Sequence, residues 1–425
     1  MKIEELHSIF LTTSGVVTDT RKIEDNSIFF ALKGENFNGN SFAEEALKKG
    51  ASYAVVDEKE HKTSDAIILV ENCLKTLQEL AKFHRNYLNI PIISLTGSNG
   101  KTTTKELINA VLSKKFKTVA TKGNLNNHIG VPLTLLSMDK TTEIGIVEMG
   151  ANHLKEIENL CKIALPDYGY ITNFGKAHLE GFGGVQGVIK GKSELYNFLI
   201  ENSKTIFFNG DDPIQVEKLD TYSKKIGFSD SNNTTYKISL ESAAPFVSVN
   251  YKNLSINSNL IGTYNFTNIA IAVTIGSHFE ITPEAIKEAI EKYTPSNNRS
   301  QIIKTKDHQI ILDAYNANPS SMKVALENFD QLKESSKLVI LGDMFELGNE
   351  AEEEHQYIAE LAEKLSFNTI ILVGENFYQT ETKALKFKSF EDLKEYVKTH
   401  KPSEKHLLIK GSRGMALERT LDYLA

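Results

Sequence analysis

Cysteine is almost absent: Cys73 and Cys161 are the two in 425 residues, far apart and without metal-ligand spacing. That excludes a disulfide scaffold and a structural zinc site, and it fits a reducing compartment. Long apolar runs are missing too. No stretch approaches the ~20 residues that cross a bilayer as a helix. The first fifteen residues, MKIEELHSIFLTTSG, lack the basic start and apolar run of a secretory leader. A cytoplasmic location without membrane insertion is expected. Basic charge is in deficit, with 48 Lys and Arg against 55 Asp and Glu for a net charge of -7, so no nucleic-acid partner is expected. A nucleotide stays open, because a few local amides and one lysine suffice to hold its phosphates. Repeats and low-complexity tracts are lacking, and so is tryptophan, from which nothing follows.

What is present is an alternation of short apolar runs and amphipathic stretches over a length too great for one core. Together these predict an α/β protein of three domains: 1–85, 86–297 and 298–425. The first carries strand signals at 27–32 and 51–57, with a helical stretch between them ending on Gly50. The second opens on the buried-strand run Ile92-Ile93-Ser94-Leu95. It continues through strands near 143–150, 168–173 and 205–210, and a helix with Leu154, Ile157 and Cys161 on one face. A turn at 295–299 leads to the third. There, strands near 309–315, 337–343, 369–374 and 406–411 alternate with helices, one of them at 351–365 with Ile358, Leu361 and Leu365 inward. This is the pattern of a small doubly wound, Rossmann-like domain.

The strongest local signal is Thr96-Gly97-Ser98-Asn99-Gly100-Lys101-Thr102-Thr103, set between a strand and a helix. Glycines let the backbone curl so that its N–H groups point at phosphate oxygens, and the helix N-terminus adds its positive dipole end. Lys101 supplies a charge to the β- and γ-phosphates; Thr102 can set its hydroxyl on Mg²⁺. The spacing is tighter than the usual phosphate-loop pattern. The alternative, a Gly-rich turn with an exposed lysine, leaves the coincidence of strand, loop, Lys-Thr and helix unexplained.

Three further residues suit a phosphoryl-transfer site, each with a plainer reading. Glu148 ends an apolar strand, where a carboxylate can hold Mg²⁺; alone, it reads equally as a solvated strand-end glutamate. His178 follows another strand and should open at the same sheet edge; alone, it is better read as a loop histidine without a task. Lys192 shares a helix face with Ile189, Tyr196 and Leu199. Desolvation there would favour a neutral amine that CO₂ can convert to an anionic carbamate. On periodicity alone a snorkelling lysine is the better reading.

The runs TGSNGKTTTK, EMGANHLKEI, ITNFGKAHLEGFGG and KGKSELY together resemble the ATP-binding domain of the Mur ligases. The resemblance implies a P-loop-type, mostly parallel central sheet that binds ATP with Mg²⁺. It implies Thr102 and Glu148 at one ion, and Glu148, His178 and a carbamylated Lys192 at a second. In the family's Gly-x-x-Asn-x-x-Asn run, here residues 262–268, it implies Asn268 as a further ATP contact. The third block, with ILDAYNANPSSM, VILGDMFELG and IKGSRGMALE, resembles the family member that adds D-alanyl-D-alanine to UDP-N-acetylmuramoyl-tripeptide; gathering three substrates would then demand closure of the third domain, about a hinge expected near 295–300. It implies Arg299 and Asp313 at the nucleotide and Tyr315, Asn316, Asn318 and Pro319 beside the dipeptide. Ala314 departs from a pattern that often carries a polar residue there. In the first block, Thr18-Asp19-Thr20-Arg21 and the run from Ala31 to Gly39 resemble the UDP-sugar domain, implying Thr20, Arg21, Lys33 and Gly34 at the substrate. Asn38 and Asn40 depart from that pattern. The implied product is the UDP-linked pentapeptide, formed through an acyl phosphate by an enzyme expected to act as a monomer. The competing readings are a related ligase adding a single amino acid, and a nucleotide-driven switch without a ligated product.

Overall fold

The computed structural model describes residues 1–424 apart from 232, 233, 244, 297, 334 and 335. Asn297, which lies in the expected hinge and ends the expected second block, is therefore outside the described residues. Three sheets follow one another along the chain. The first has four parallel strands in the order Val16–Val17, Ile28–Phe30, Tyr53–Val56, Ile67–Leu69. A two-stranded hairpin, Lys33–Gly34 with Phe37–Asn38, projects beside it.

The second sheet has nine strands. Its parallel part runs Tyr236–Ser242, Lys225–Ser229, Thr205–Asn209, Tyr168–Ile171, Ile92–Thr96, Ile144–Glu148, Thr118–Ala120. An antiparallel extension, Ser248–Tyr251 and Leu254–Asn257, completes it. Every residue of Ile92–Thr96 and Ile144–Glu148 is buried. That explains their continuous rather than alternating hydrophobicity: helices cover both faces of a parallel sheet. On one face the helix Lys101–Leu112 buries Leu107, Ile108 and Val111 against Ile269, Ala272 and Val273 of the helix Asn265–His278.

The third sheet has six strands, in the order Gln301–Lys304, Gln309–Asp313, His406–Lys410, Lys337–Gly342, Thr369–Val373, Leu385–Phe387; all but the first pair are parallel. The four apolar runs are its centre. The two edge strands escape the sequence pattern because they are short and only partly buried. Two details of the helical reading change. Leu154 lies outside the helix Glu156–Ala164 and is exposed, since Lys155 takes a left-handed φ of 69° and Glu156 instead caps the turn before it. Leu365 ends its helix in extended backbone, half-buried.

Candidate active site

The loop after Ile92–Thr96 is held by the neighbouring strand's exit. Ser98 N–H donates to Asn173 O and Asn99 N–H to Asn173 Oδ1, both at 3.1 Å, while Thr172 Oγ1 donates to Asn99 O at 2.6 Å. Both glycines are forced. Gly97 (φ +143°) would drive a Cβ to 2.0 Å from Thr172 Oγ1, and Gly100 (φ +78°) to 2.7 Å from Asn268 Oδ1. Asn268 thus sits directly on the loop. It accepts from Thr104 Oγ1 at 2.9 Å and donates to Asn265 Oδ1 at 2.8 Å. Lys101 folds its amine over its own loop, donating to Gly97 O at 2.7 Å. Burial, with Arg299 in the same cavity, pulls that ammonium down to about 8 against the attraction of Glu148.

At the start of the following helix, Thr102 Oγ1 donates to Glu148 Oε2 at 2.9 Å. The other carboxylate oxygen accepts from Asn126 Nδ2 at 2.8 Å, and Glu148 N–H donates to Thr121 Oγ1 at 2.9 Å. Glu148 is 1% exposed, so the solvated strand-end reading fails. Hard oxygens of a carboxylate and a hydroxyl meeting at a helix N-terminus suit Mg²⁺. Asn126 and Thr121 were not singled out in the sequence; the Asn-rich run 124–127 was the available signal for the first, while Thr121 offered none.

Lys192 is fully buried on the helix Val185–Glu201. Its Nζ donates to Ala151 O at 3.1 Å and lies 4.9 Å from the centre of the Phe182 ring. The snorkelling reading therefore fails: the amine never reaches water. Burial lowers its pKa well below the usual lysine range, and the Lys101 charge adds to the effect. The amine stands behind Ala151 and does not line the cavity. His178, with φ +55°, lines the cavity and turns Nδ1 to Glu346 of the third domain. Among the described residues, the one group of three carboxylates or imidazoles close enough to share an ion is Glu58, Glu60 and His61 of the first domain; Glu148 and His178 are not in it.

A cavity of about 1190 Å³ opens from the loop to the third domain. Residues 98–103, Glu148, Asn268, Arg299, Asp313, Tyr315, Asn316 and Asn318 all contribute to its wall. Arg299 stacks its guanidinium 3.7 Å from the Tyr315 ring centre and leaves its Nε buried without a hydrogen-bond partner among the described residues. Asp313 is held by Ser300 N–H at 3.0 Å and by Lys410 Nζ at 2.5 Å. Neither Lys410 nor Tyr264, which bonds Ser300 Oγ at 2.6 Å, stood out in the sequence. Asn318 caps the helix Pro319–Asp330 and donates to Asn99 Oδ1 at 2.8 Å, joining the third domain to the loop. Pro319 is buried at that helix start. Ala314 is fully buried in the third core, which accounts for an apolar residue there.

The first-domain candidates are not brought to this cavity. Thr20 and Arg21 lie on a short turn, with Arg21 exposed and paired to Asp19 at 2.8 Å. Lys33 and Gly34 lie on the exposed hairpin, with Lys33 paired to Asp57 and Glu58, each at 2.9 Å. Asn40 bonds Asp57 and Asn38 bonds Glu58, so these two departures serve the domain's own structure. The cavity's wall on this side is instead Lys75, Gln78, Glu79 and Lys82 of the helix Cys73–Leu88.

Comparison with known proteins matches three family models along the chain. Residues 12–93 match the Mur ligase family, catalytic domain; 95–276 the Mur ligase middle domain; 298–413 the Mur ligase, glutamate ligase domain. The UDP-N-acetylmuramoyl-tripeptide--D-alanyl-D-alanine ligase of Bacillus subtilis is 34% identical, over 95% of this chain and 91% of its own length. The Escherichia coli enzyme of that name is 30% identical, over 98% and 95%. Among solved structures, MurF from Acinetobacter baumannii superposes with a TM-score of 0.84 at 30% identity, covering 96% of this chain and 92% of that one. MurF ligase from Thermotoga maritima, in complex with ADP, superposes at 0.85 with 26% identity over 98% and 97%. With a Gly-rich strand–helix loop facing a polar wall of the third domain across one cavity, and relatives matched over nearly its whole length, the chain belongs to the Mur ligase family.

Proposed function

We propose that this enzyme joins D-alanyl-D-alanine to UDP-N-acetylmuramoyl-tripeptide at the expense of ATP, releasing ADP and phosphate. The observation that carries the reading is the single cavity in which residues 98–103 face Arg299, Asp313 and Asn316 of another domain. The division of labour follows the expected domains: UDP-sugar held by 1–85, ATP by 86–297, dipeptide delivered by 298–425.

An amide does not form from a carboxylate and an amine in water without activation. The tripeptide's terminal carboxylate attacks the γ-phosphorus of ATP, giving an acyl phosphate and ADP; the dipeptide amine then attacks the acyl carbon and phosphate leaves. The first step brings two anions together. Lys101 offsets that repulsion by leaving its loop carbonyls for the phosphates, and the backbone N–H groups of 100–102 at the helix start add the helix dipole. Arg299, whose Nε has no hydrogen-bond partner among the described residues, is an available cation from the facing wall. Tyr315 holds that guanidinium flat, and Asp313 with Lys410 fixes the strand end beneath it. Asn318 to Asn99 and Lys176 to Glu354 seat the third domain over the loop, excluding water from a hydrolysable intermediate.

Mg²⁺, when bound, would act as a Lewis acid and template for the phosphates. Thr102 and Glu148 would hold one ion, and Glu148, His178 and Lys192 the second. Lys192 could do so only as a carbamate, and its buried amine, whose pKa desolvation lowers well below the usual lysine range, suits that modification.

The test supplies ATP and the UDP-tripeptide with either D-alanyl-D-alanine or single amino acids and follows ADP release. Release that needs both cosubstrates and prefers the dipeptide is expected. Preference for a single amino acid would transfer the reading to a related ligase, and release without either cosubstrate would leave a nucleotide switch.

A further inference from the structure

The middle and third domains meet through a few polar pairs on one side of the cavity. Lys176 pairs with Glu354, and its N–H donates to Ser320 Oγ at 2.9 Å. Next to them His178 Nδ1 bonds Glu346. Both partners of this second pair hold left-handed backbone, His178 at φ +55° and Glu346 at +62°. Such a conformation costs a non-glycine residue ~1 kcal/mol or more and persists where the surroundings enforce it.

Around Glu346 they do so. Asp343 accepts from the N–H groups of Asn376 and Phe377, both at 2.9 Å. Met344 N–H donates to His355 Nε2 at 3.0 Å, and Phe345 N–H donates to Ser412 Oγ at 3.0 Å. Met344 and Leu347 are buried on either side. Gly348 lies so close to the middle domain that a Cβ there would stand 3.1 Å from Glu180 Cβ. A loop pinned at each residue from 343 to 345 thus presents one carboxylate to one imidazole across the domain boundary.

We propose that Glu346 is a positioning residue for His178. By accepting a hydrogen bond from Nδ1–H it fixes the ring's tautomer and leaves Nε2, with its lone pair, as the nitrogen that can bind a metal ion. Because Glu346 belongs to the third domain, the ion site is complete only when that domain is seated, which links dipeptide delivery to assembly of the phosphate-transfer centre. This rests on His178 being a metal ligand, as proposed above. Neither His178 nor Glu346 is singular in sequence; their meeting is a tertiary fact.

The experiment titrates Mn²⁺ into the full chain with ADP present and reads bound ion by electron paramagnetic resonance, in the parent, E346A, E346Q, H178A and K176A. In H178A and E346A one Mn²⁺ is expected to weaken by ~10-fold or more. E346Q, whose amide oxygen still accepts from Nδ1–H, should stay close to the parent. K176A, which removes the neighbouring interdomain pair without touching the imidazole and leaves the Asn318–Asn99 bond to seat the domain, should do so too. Unaltered binding in H178A overturns the ligand reading, and this inference with it. Weakened binding in H178A with unaltered or tighter binding in E346A overturns the positioning role alone. A loss in K176A as large as that in E346A also overturns it, since seating of the domain would then suffice.

Discussion

The phosphate-loop wall and the first domain's candidate residues make opposite use of the same kinds of side chain. Thr102, Glu148 and Asn268 are buried and wired to one another's neighbours, each within 3 Å of a partner from a different element. Arg21 and Lys33 are exposed and neutralised by acids of their own domain. In the first region geometry is imposed before any ligand arrives, which is what electrostatic preorganisation requires. In the second, the charges are free to exchange partners, and a ligand there would win its contacts from existing ion pairs. Similar-looking motifs therefore carry unequal information about where chemistry happens.

The sharpest way to break that contrast is Lys101→Ala. It should lower ATP-dependent turnover by ~10³-fold or more, because the charge acts on phosphates in a site of low dielectric; a retained rate in an ADP-release assay would remove the loop from catalysis. Next comes Lys192→Ala, expected to reduce ligation almost as far, with no rescue by bicarbonate. Turnover near normal would dismiss the carbamate and leave a buried structural lysine.

A smaller effect tests the seam between the two regions. His84 Nε2 must donate to Met138 O at 2.8 Å, so its Nδ1 accepts from His7 Nε2–H at 3.0 Å. Burial and the neighbouring His84 push His7 from 6.5 down to about 4, and burial lowers His84 as well. A base whose folded pKa is depressed contributes stability that is present above the unfolded value and is lost as pH falls through the folded one. The melting temperature should therefore fall between pH 6.5 and 4, and by less in His7→Leu; parallel curves for the two proteins would exclude the pair as the cause. The smallest change is expected from Arg21→Ala or Lys33→Ala. Either should raise KM for the UDP-tripeptide severalfold with kcat and melting temperature unaltered, because exposed ion pairs add little to stability. A large fall in kcat would place the first-domain residues at the reacting centre after all.

Much of the fold was legible because its signals are local. Buried parallel strands such as Ile92–Thr96 and Lys337–Gly342 are continuous apolar runs, and a Gly-rich turn before Lys101 needs no distant information. Edge strands such as Leu385–Phe387 were not legible, because a half-buried strand of three residues has no distinctive pattern. The site divides in the same way. Its loop could be read directly. Lys192 could not, since helical periodicity places a lysine on an apolar face without saying whether its amine reaches water. Asn126, Lys410 and Glu346 were invisible because nothing in their own neighbourhoods records the residue each one meets.

By itself, then, the chain order determined the α/β class, the Gly-rich strand–helix loop with its Lys-Thr pair, and the residues whose motifs carry the family resemblance. Only the tertiary structure decided that Glu148 and Thr102 touch, that the Lys192 amine is sealed behind Ala151, that the third domain reaches Asn99 through Asn318, and that Arg21 and Lys33 stand apart. The reason is physical. Hydrogen-bond and hydrophobic signals within a dozen residues are written in local periodicity, whereas desolvation and charge pairing depend on segments tens to hundreds of positions away that meet only when the domains pack.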